Sequence, residues 1–498
     1  MTPVTVVKNP GLWHDPSEDY PMSSSDTLTN ATAVRGAKRL SLKQYFGYGS
    51  GDMANNMAFS LAITFLPLYY TDVGLISPGT VATIFLVMRF IDAFTDILVG
   101  SFVDRTNTRW GKFRPYILFG SVPLVLSVIL AFSIPGSLHG TTGAVVWACV
   151  TYFLMGSIAY TAVNIPYGSL AAAMTDNSEE RSKLAVFRTV GSALMQITTA
   201  LAISPALQAN RGNPEALQSS LTTTLVVLGI VAILLYLFLF VTARENVERR
   251  IPRVGLRDSL RTLGANRALQ ALALISVIYL AGVFSLSGMM AYYARDVLGD
   301  ARYLAIFGPL LFGMILVFGW AIPSLARRIG KPRLFQLAAL LGTVGGVMIW
   351  LVPGQSIVLV VIAFVLVGTS SGFVNTLMWN MEADAVEFGE WKTGFRSEGT
   401  TYAVFSFVRK MAQALGGSLG LWIIGWFGYQ GSATMQSESA LQGIKLSMGL
   451  LPAACFLVAA VLVQFYPLTD SRHKQILMDL RSRKETGILP QTPEATTD

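Results

Sequence analysis

The stretch RFIDAFTDILVG (89–100) sets an arginine and two aspartates inside an otherwise apolar run that extends from about residue 78 to 103. A run of that length crosses roughly 30 Å of hydrocarbon as a helix. Steps of three and four residues put Arg89, Asp92 and Asp96 on one stripe of that helix. A charge at the centre of a membrane helix costs about 2.5–3.5 kcal/mol even on the lenient insertion scale, so the stripe must face a partner or a water-filled cavity. This stretch therefore predicts both a membrane helix and a polar interior for it to line.

Outward from it the same pattern recurs. Apolar runs of spanning length occur near 45–70, 78–103, 115–135, 143–168, 184–208, 221–242, 268–294, 303–325, 333–353, 356–381, 399–427 and 442–466, which predicts twelve transmembrane helices. Of the 498 residues 52% are hydrophobic and only 13% charged, where soluble proteins carry about a quarter charged residues. Twenty-nine of the 37 Lys and Arg fall in the termini and the alternate loops of one side, against Arg211, Arg295 and Arg302 on the other. Cytoplasmic loops hold the positive excess, so both termini of this multi-pass protein are expected in the cytoplasm, with the spans in the cell membrane. That topology explains the net charge of +8, and no nucleic-acid partner is expected. Cys149 and Cys455 lie within apolar runs and read as packing residues, with no structural metal expected.

Residues 1–40, with Pro10, Pro16, Pro21 and serines 23–25, lack an apolar core of signal-peptide length and are expected to form a disordered cytoplasmic tail. The loop 243–267 carries seven arginines and separates an N-terminal bundle, 41–242, from a C-terminal bundle, 268–466. Residues 467–498 are polar and basic, a second tail with room for one short helix. RWGKFRP (109–115) and RRIGKPR (327–333) are Gly-Lys turns at equivalent places in the two halves. Repeat-built transporters show such echoes, although short turns use Gly and Lys in any case. The fold class is an all-α membrane protein of two six-helix bundles.

Inside the expected spans lie Asp52, Arg89, Asp92, Asp96, Arg188, Arg409, Lys410 and Lys445. Two carboxylates one turn apart repel, so at least one of Asp92 and Asp96 holds a proton more tightly than usual unless a cation sits between them. A coupling site for H⁺ or Na⁺ needs that property. The competing reading is a static pair of Arg89 with Asp92, which leaves Asp96 without a partner. Asp52 follows the glycine-rich GYGSGD (47–52), which lets its helix approach a neighbour closely. Its carboxylate suits substrate hydroxyls, because an ionised acid offers only acceptors; it also suits a pair with Arg188 or Lys410. Adjacent helical residues point about 100° apart, so only one of Arg409 and Lys410 faces the pocket squarely. Lys445, near a span end, fits a snorkelling role. NIPYGSLA (164–171) is expected to break the fourth helix beside a cavity, which makes Asn164 and Tyr167 pocket candidates, with Asn375 and Trp379 as their counterparts from the other half. Interfacial packing is the alternative for Trp379.

YYTDVGL (69–75), FIDAFTDILVG (90–100), NTRWGKFRP (107–115), NIPYGSLA (164–171), EADAVEFGEWKTGFRSEG (382–399) and FSFVRKMAQALGGS (405–418) resemble the glycoside-pentoside-hexuronide:cation symporters, a branch of the major facilitator superfamily. The resemblance covers about 41 to 475 and is nearest to the glucuronide carriers. It implies the major facilitator fold and cation-coupled sugar transport. By that likeness the two cation-binding aspartates fall on Asp92 and Asp96, the cation-contacting threonine on Thr161, and the sugar-binding residues on Asp52, Arg188 and Lys410. Relative to the family's melibiose-transporting members, Asn164 replaces a sugar-binding aspartate, Gly168 a tryptophan and Thr95 a cation-site asparagine. The first change, with Arg409 beside Lys410, makes the pocket more positive and favours a substrate with a carboxylate, while a neutral xyloside stays open. The loss of the asparagine favours H⁺ over Na⁺. Gly100, Asp104, Arg105, Gly111 and Lys112 match the superfamily's loop motif, a latch between helices.

The expectation is thus a symporter that takes a glycoside, most readily a glucuronide, together with H⁺ (alternatively Na⁺ at Asp92 and Asp96). It needs no cofactor, and its partners are the small-molecule glycoside and membrane lipid around a working monomer. A membrane enzyme is disfavoured, because His14, His139 and His473 all fall in expected loops or tails. A lysolipid carrier on the same fold is the stronger rival; an apolar lateral opening points to lipid, a polar enclosed pocket to sugar.

Overall fold

A computed structural model describes residues 39–246, 264 and 266–486, apart from 107, 176, 211, 353–355, 395–397 and 432. All but the last two residues of the expected N-terminal tail and most of the expected linker lie outside these residues. The chain from Leu40 onward forms one unit. Among the described residues it is a succession of long helices: α1 (42–72), α2 (Pro78–Arg105), α3 (Arg114–Ala131), α4 (Thr142–Met174), α5 (Ser178–Ala209), α6 (Pro214–Thr242), α7 (Arg267–Val297), α8 (Ala301–Ile329), α9 (Lys331–Leu351), α10 (Ile357–Thr393), α11 (Glu398–Trp426) and α12 (Glu438–Phe465), then a shorter α13 (Asp470–Thr486). Among the described residues nine helices are long and apolar enough to cross a membrane by composition alone. The three others, α1, α2 and α11, carry Asp52, the Arg89–Asp92–Asp96 stripe and the Arg409–Lys410 pair. Their low apolarity has the physical cause already seen in 89–100: they line the interior.

The helix pairs of the first half recur in the second, shifted by six. α1 packs on α5 and α6, α3 on α4 and α6, and α2 on α4; α7 packs on α11 and α12, α9 on α10 and α12, and α8 on α10. The Gly-Lys echo is part of this repeat. Gly111 and Gly330 have φ of 103° and 89°, a conformation that a side chain disfavours. The Lys112 amide donates to Glu245 Oε2 at 2.7 Å, just past α6. The Lys331 amide donates to Asp470 Oδ2 at 3.1 Å, just past α12. In each half a carboxylate beyond the sixth helix thus caps the N-terminus of the third, where orphan amides and the helix dipole favour an anion.

Two expectations about helix ends need correction. NIPYGSLA does not break α4, which continues through Pro166 to Met174; the irregular turn lies earlier, as a π-helical segment over Phe153–Tyr160. The fourth carbonyl before a proline loses its amide partner but need not end the helix when neighbours hold both sides. α10 runs twelve residues beyond the expected 381, since hydropathy registers only the part in lipid. Its polar extension buries Ala385, Val386 and Phe388, and α13 buries Ile476 and Leu480. The Trp391 indole donates to Asp479 at 3.1 Å, and Arg483 Nη1 donates to the Trp391 carbonyl at 3.0 Å.

α1 and α5 approach through Gly49 and Gly191, where a Cβ on Gly191 would stand 2.3 Å from the Gly49 carbonyl oxygen. Gly191→Val forces the helices apart, and overpacking of this kind costs about 1–3 kcal/mol. Thermal unfolding of purified protein should show a lowered midpoint; an unchanged midpoint excludes the close approach. Between the halves, α2 packs on α11, α5 on α8 and α1 on α7. Ser418 Oγ donates to the Ala82 carbonyl at 2.9 Å, and the Ala301 amide donates to Gln208 Oε1 at 2.8 Å. These contacts lie at the end away from the Gly-Lys turns.

Candidate functional site

α2 and α4 run parallel, so residues with one sequence offset stay in register. Ser157 Oγ donates to Asp92 Oδ1, and 65 residues separate them. Thr161 Oγ1 donates to Asp96 Oδ1 at 3.0 Å across the same separation. Two hydroxyls one turn apart thereby face two carboxylates one turn apart. The π-helical segment that carries Ser157 ends immediately before Thr161, whose hydroxyl also lies 3.2 Å from the Gly156 carbonyl. π-bulges recur at functional sites because they re-aim side chains without breaking the helix.

Each carboxylate has its own cation. Arg89 Nη1 lies 3.4 Å from Asp92 Oδ2, a long contact within α2. Lys410 of α11 forms an ion pair with Asp96 Oδ2, so Asp96 does not lack a partner. This pair also ties the two halves together at the centre. Thr95 turns away from the carboxylates and donates to the carbonyls of Ile91 and Asp92 in its own helix.

A second group forms between α1 and α5. Arg188 Nε donates to Asp52 Oδ1 at 3.0 Å, and Asn56 Nδ2 donates to Asp52 Oδ2 at 2.9 Å. The Arg188 guanidinium stands 5.5 Å from the centroid of the Tyr167 ring. Tyr167 is fully buried, stacks on Tyr48 at 4.8 Å and donates to the Tyr48 carbonyl at 2.8 Å. It therefore forms the floor under Arg188 and keeps no free hydroxyl. The Asp52 side chain is 7% exposed and that of Arg188 44%, so the arginine supplies the accessible surface of the pair. Asn164 is half-buried on α4, and Gly168 has open space where a Cβ would project, in keeping with the absent tryptophan. Tyr160, of the π-helical segment, is within electrostatic reach of Asp52 and Arg188 and also of Arg89 and Asp92, so the two groups are neighbours.

A third group joins α10 and α11. Arg409 Nη1 donates to Asn375 Oδ1 at 2.9 Å, and its guanidinium stands 5.1 Å from the Trp379 ring centroid. Trp379 also stacks on Tyr402 at 5.7 Å and meets Phe405 edge-on at 5.2 Å. Arg409 and Lys410 thus diverge as adjacent helical residues must, one toward α10 and one toward α2. Tyr402 lies within electrostatic reach of both Arg188 and Arg409 and is 56% exposed, so its ring faces the space between the halves.

The loop motif stays apart from these groups. Gly111 and Lys112 sit in the turn held by Glu245, Gly100 has open space beside it, Arg105 is exposed, and the side chain of Asp104 lies outside the described residues. Asp384, Glu387 and His473 are close enough to hold a metal ion, but Lys331 Nζ already lies 2.5 Å from Asp384 and His473 Nε2 2.5 Å from Glu387. That group serves as a polar network, with the Lys331–Asp384 ion pair at its centre, pinning α13 to α10.

Sequence reasoning missed Ser157, Tyr160, Tyr402 and a buried cluster at the far ends of α1 and α7. There Arg295 Nη2 lies 2.7 Å from Asp72 Oδ1 and 2.9 Å from Asp296 Oδ2, and Tyr429 of the segment after α11 donates to Asp72 at 3.0 Å. Thr71 and Tyr292 hydroxyls meet at 2.9 Å. A small pocket lined by Asp72, Arg295 and Asp296 opens beside this cluster, away from the central charges. A signal was present: YYTDVG (69–74) and YYARDVLG (292–299) are another echo between the halves.

Comparison with known proteins agrees with this architecture. The family described as MFS/sugar transport protein matches residues 47–470. The glucuronide carrier protein homolog of Escherichia coli (strain K12) is 38% identical over 453 residues, 90% of this chain and 97% of that protein. The isoprimeverose transporter of Lactiplantibacillus pentosus is 32% identical over 483 residues, 95% of this chain and 97% of that protein. The crystal structure of the nucleoside transporter NupG superposes with a TM-score of 0.61 at 12% identity, covering 85% of this chain and 98% of that one, which speaks for the fold alone. Charges held in the interior of a repeat-built helical membrane protein, with relatives of this kind along nearly its whole length, make the chain a member of the MFS/sugar transport protein family, a multi-pass membrane transporter and not an enzyme.

Proposed function

We propose that the chain is a symporter that carries a glycoside bearing an acidic group, of the glucuronide class, into the cell together with H⁺. The carrying observation is the matched ladder of Asp92 with Ser157 and Asp96 with Thr161, set beside the Asp52–Arg188 pair. Asp52, Arg188 and Asn164 take the sugar hydroxyls. Asp92 and Asp96 take the cation. Lys410, paired with Asp96, is the internal cation that an entering proton releases, and binding at the two sites is linked by a coupling free energy of about 1–3 kcal/mol. H⁺ is preferred to Na⁺ because Thr95 spends its hydroxyl on its own helix and because each carboxylate already faces a side-chain cation. The polar lining supports a sugar over a lysolipid. The relative that carries isoprimeverose, a sugar without an acidic group, supports a neutral glycoside as a second reading.

With the basic turns taken as the cytoplasmic side, the contacts of Ser418 with Ala82 and of Ala301 with Gln208 fall at the outer end. Uptake of labelled glucuronide, glucoside and xyloside into vesicles tests the reading. A proton gradient should drive glucuronide accumulation and a sodium gradient should not; sodium-driven accumulation moves the coupling ion to Na⁺. Lys410→Gln should lower accumulation while substrate exchange continues. Equal loss of both assigns Lys410 to the substrate.

A further inference from the structure

Among the described residues around the centre of the molecule, four side-chain cations face three carboxylates. Arg89 has Asp92, Arg188 has Asp52 and Lys410 has Asp96. Arg409 has no carboxylate among the described residues; its partners are the neutral Asn375 oxygen and the face of Trp379. An unbalanced guanidinium at membrane depth carries a large desolvation cost, which a carbonyl and an aromatic face only partly offset. Such charges persist where a ligand completes them. Arginine offers five donors in a fixed fork that matches a carboxylate bidentately. Because Arg409 can only donate, the oxygen of the Asn375 amide is turned toward it, and this leaves the amide NH₂ as a further donor beside the guanidinium. Trp379 is packed by both Arg409 and Tyr402, and Tyr402 is itself 56% exposed, so the ring open to a ligand here is that of Tyr402.

We infer that Arg409, with the Asn375 amide, is the docking point for a single negative charge on the substrate, a carboxylate or a sulfonate, while the ring lies against Tyr402 and its hydroxyls reach Arg188 and Asp52. The inference rests on the glycoside reading above and names the substrate feature that the site selects. It assigns discrimination between acidic and neutral glycosides to Arg409 and removes it from Lys410, whose ammonium belongs to Asp96. A monoanion equalises the four cations and three acids; a neutral sugar leaves one positive charge uncompensated.

The test is competition binding on purified full-length protein with a matched pair, methyl β-glucuronide and methyl β-glucoside, for wild type, Arg409→Gln, Arg409→Lys and Lys410→Gln. Wild type should prefer the glucuronide. Arg409→Gln should weaken glucuronide binding by roughly 10- to 100-fold, the worth of a charged hydrogen bond, and leave the glucoside within about twofold. Arg409→Lys should keep part of the preference, because it keeps the charge without the fork. Lys410→Gln should keep the preference whatever it does to accumulation. An equal loss for both sugars in Arg409→Gln and Arg409→Lys overturns the assignment in favour of a packing role, and loss of the preference in Lys410→Gln alone moves it to the ammonium. Gradient-driven uptake separates this from the symport reading. A wild type that accumulates sugars without discriminating the pair refutes the subsite alone. Arg409-dependent discrimination without accumulation upholds the subsite and refutes symport.

Discussion

Asp92→Asn and Asp96→Asn are each expected to abolish accumulation of substrate against its gradient while leaving binding and exchange in place. An asparagine preserves the shape of the side chain and can still accept the hydroxyl bond from Ser157 or Thr161, so the local packing survives. It can neither take up a proton nor balance a cation. In Asp96→Asn the ammonium of Lys410 has no carboxylate to return to, and in Asp92→Asn the same holds for Arg89. The link between proton binding and sugar binding is then lost, and transport runs only downhill to the equilibrium level. Uptake into vesicles under an imposed pH gradient, beside exchange across the same vesicles, reads the two activities separately. Full accumulation by both variants removes the carboxylates from the coupling mechanism.

The second large effect is on binding itself. Asp52→Ala and Arg188→Ala should each eliminate measurable substrate affinity, and each should also destabilise the protein, Arg188→Ala the more because it strands the buried Asp52 carboxylate, whereas Asp52→Ala strands a guanidinium that is 44% exposed. Asp52 is the more deeply buried of the two, and without it Arg188 loses its carboxylate and is left with neutral partners such as the Tyr167 face. A structural role alone predicts that neutralising both partners, Asp52→Asn with Arg188→Gln, restores what either single change loses. A substrate-binding role predicts that the double variant recovers thermal stability but not affinity. Isotherms and unfolding midpoints on the same preparations decide between them, and unchanged affinity in both alanine variants places the sugar elsewhere.

Much of the site was legible in the sequence because membrane depth makes charge expensive. Asp52, Arg89, Asp92, Asp96, Arg188, Arg409 and Lys410 stand out in apolar runs without any knowledge of their neighbours. What stayed hidden, apart from the Asp72–Arg295–Asp296 cluster at the span ends, were groups that cost little to bury. Ser157, Tyr160 and Tyr402 are ordinary membrane-helix residues until the fold puts them opposite a charge. The same holds for Glu245 and Asp470, polar residues just past a helix end, which cap the third helix of each half only after the chain returns there.

The sequence by itself determined the class of solvent, the number of long helices, the division into echoing halves and the identity of the central charges. Those follow from local quantities: the length of an apolar run, the period of a helix and the cost of one buried charge. Only the tertiary structure decided the pairing. That Asp52 meets Arg188, that Lys410 reaches Asp96 and not Asp52, that Arg409 turns to Asn375, and that Asp72 and Arg295 close the far end all depend on which helices lie side by side and at what height. Helix packing in lipid is set by small steric and polar contacts spread along whole faces, such as the approach of Gly49 to Gly191. No single stretch of sequence contains both sides of such a contact, so the partner of each charge becomes fixed only when the helices have assembled.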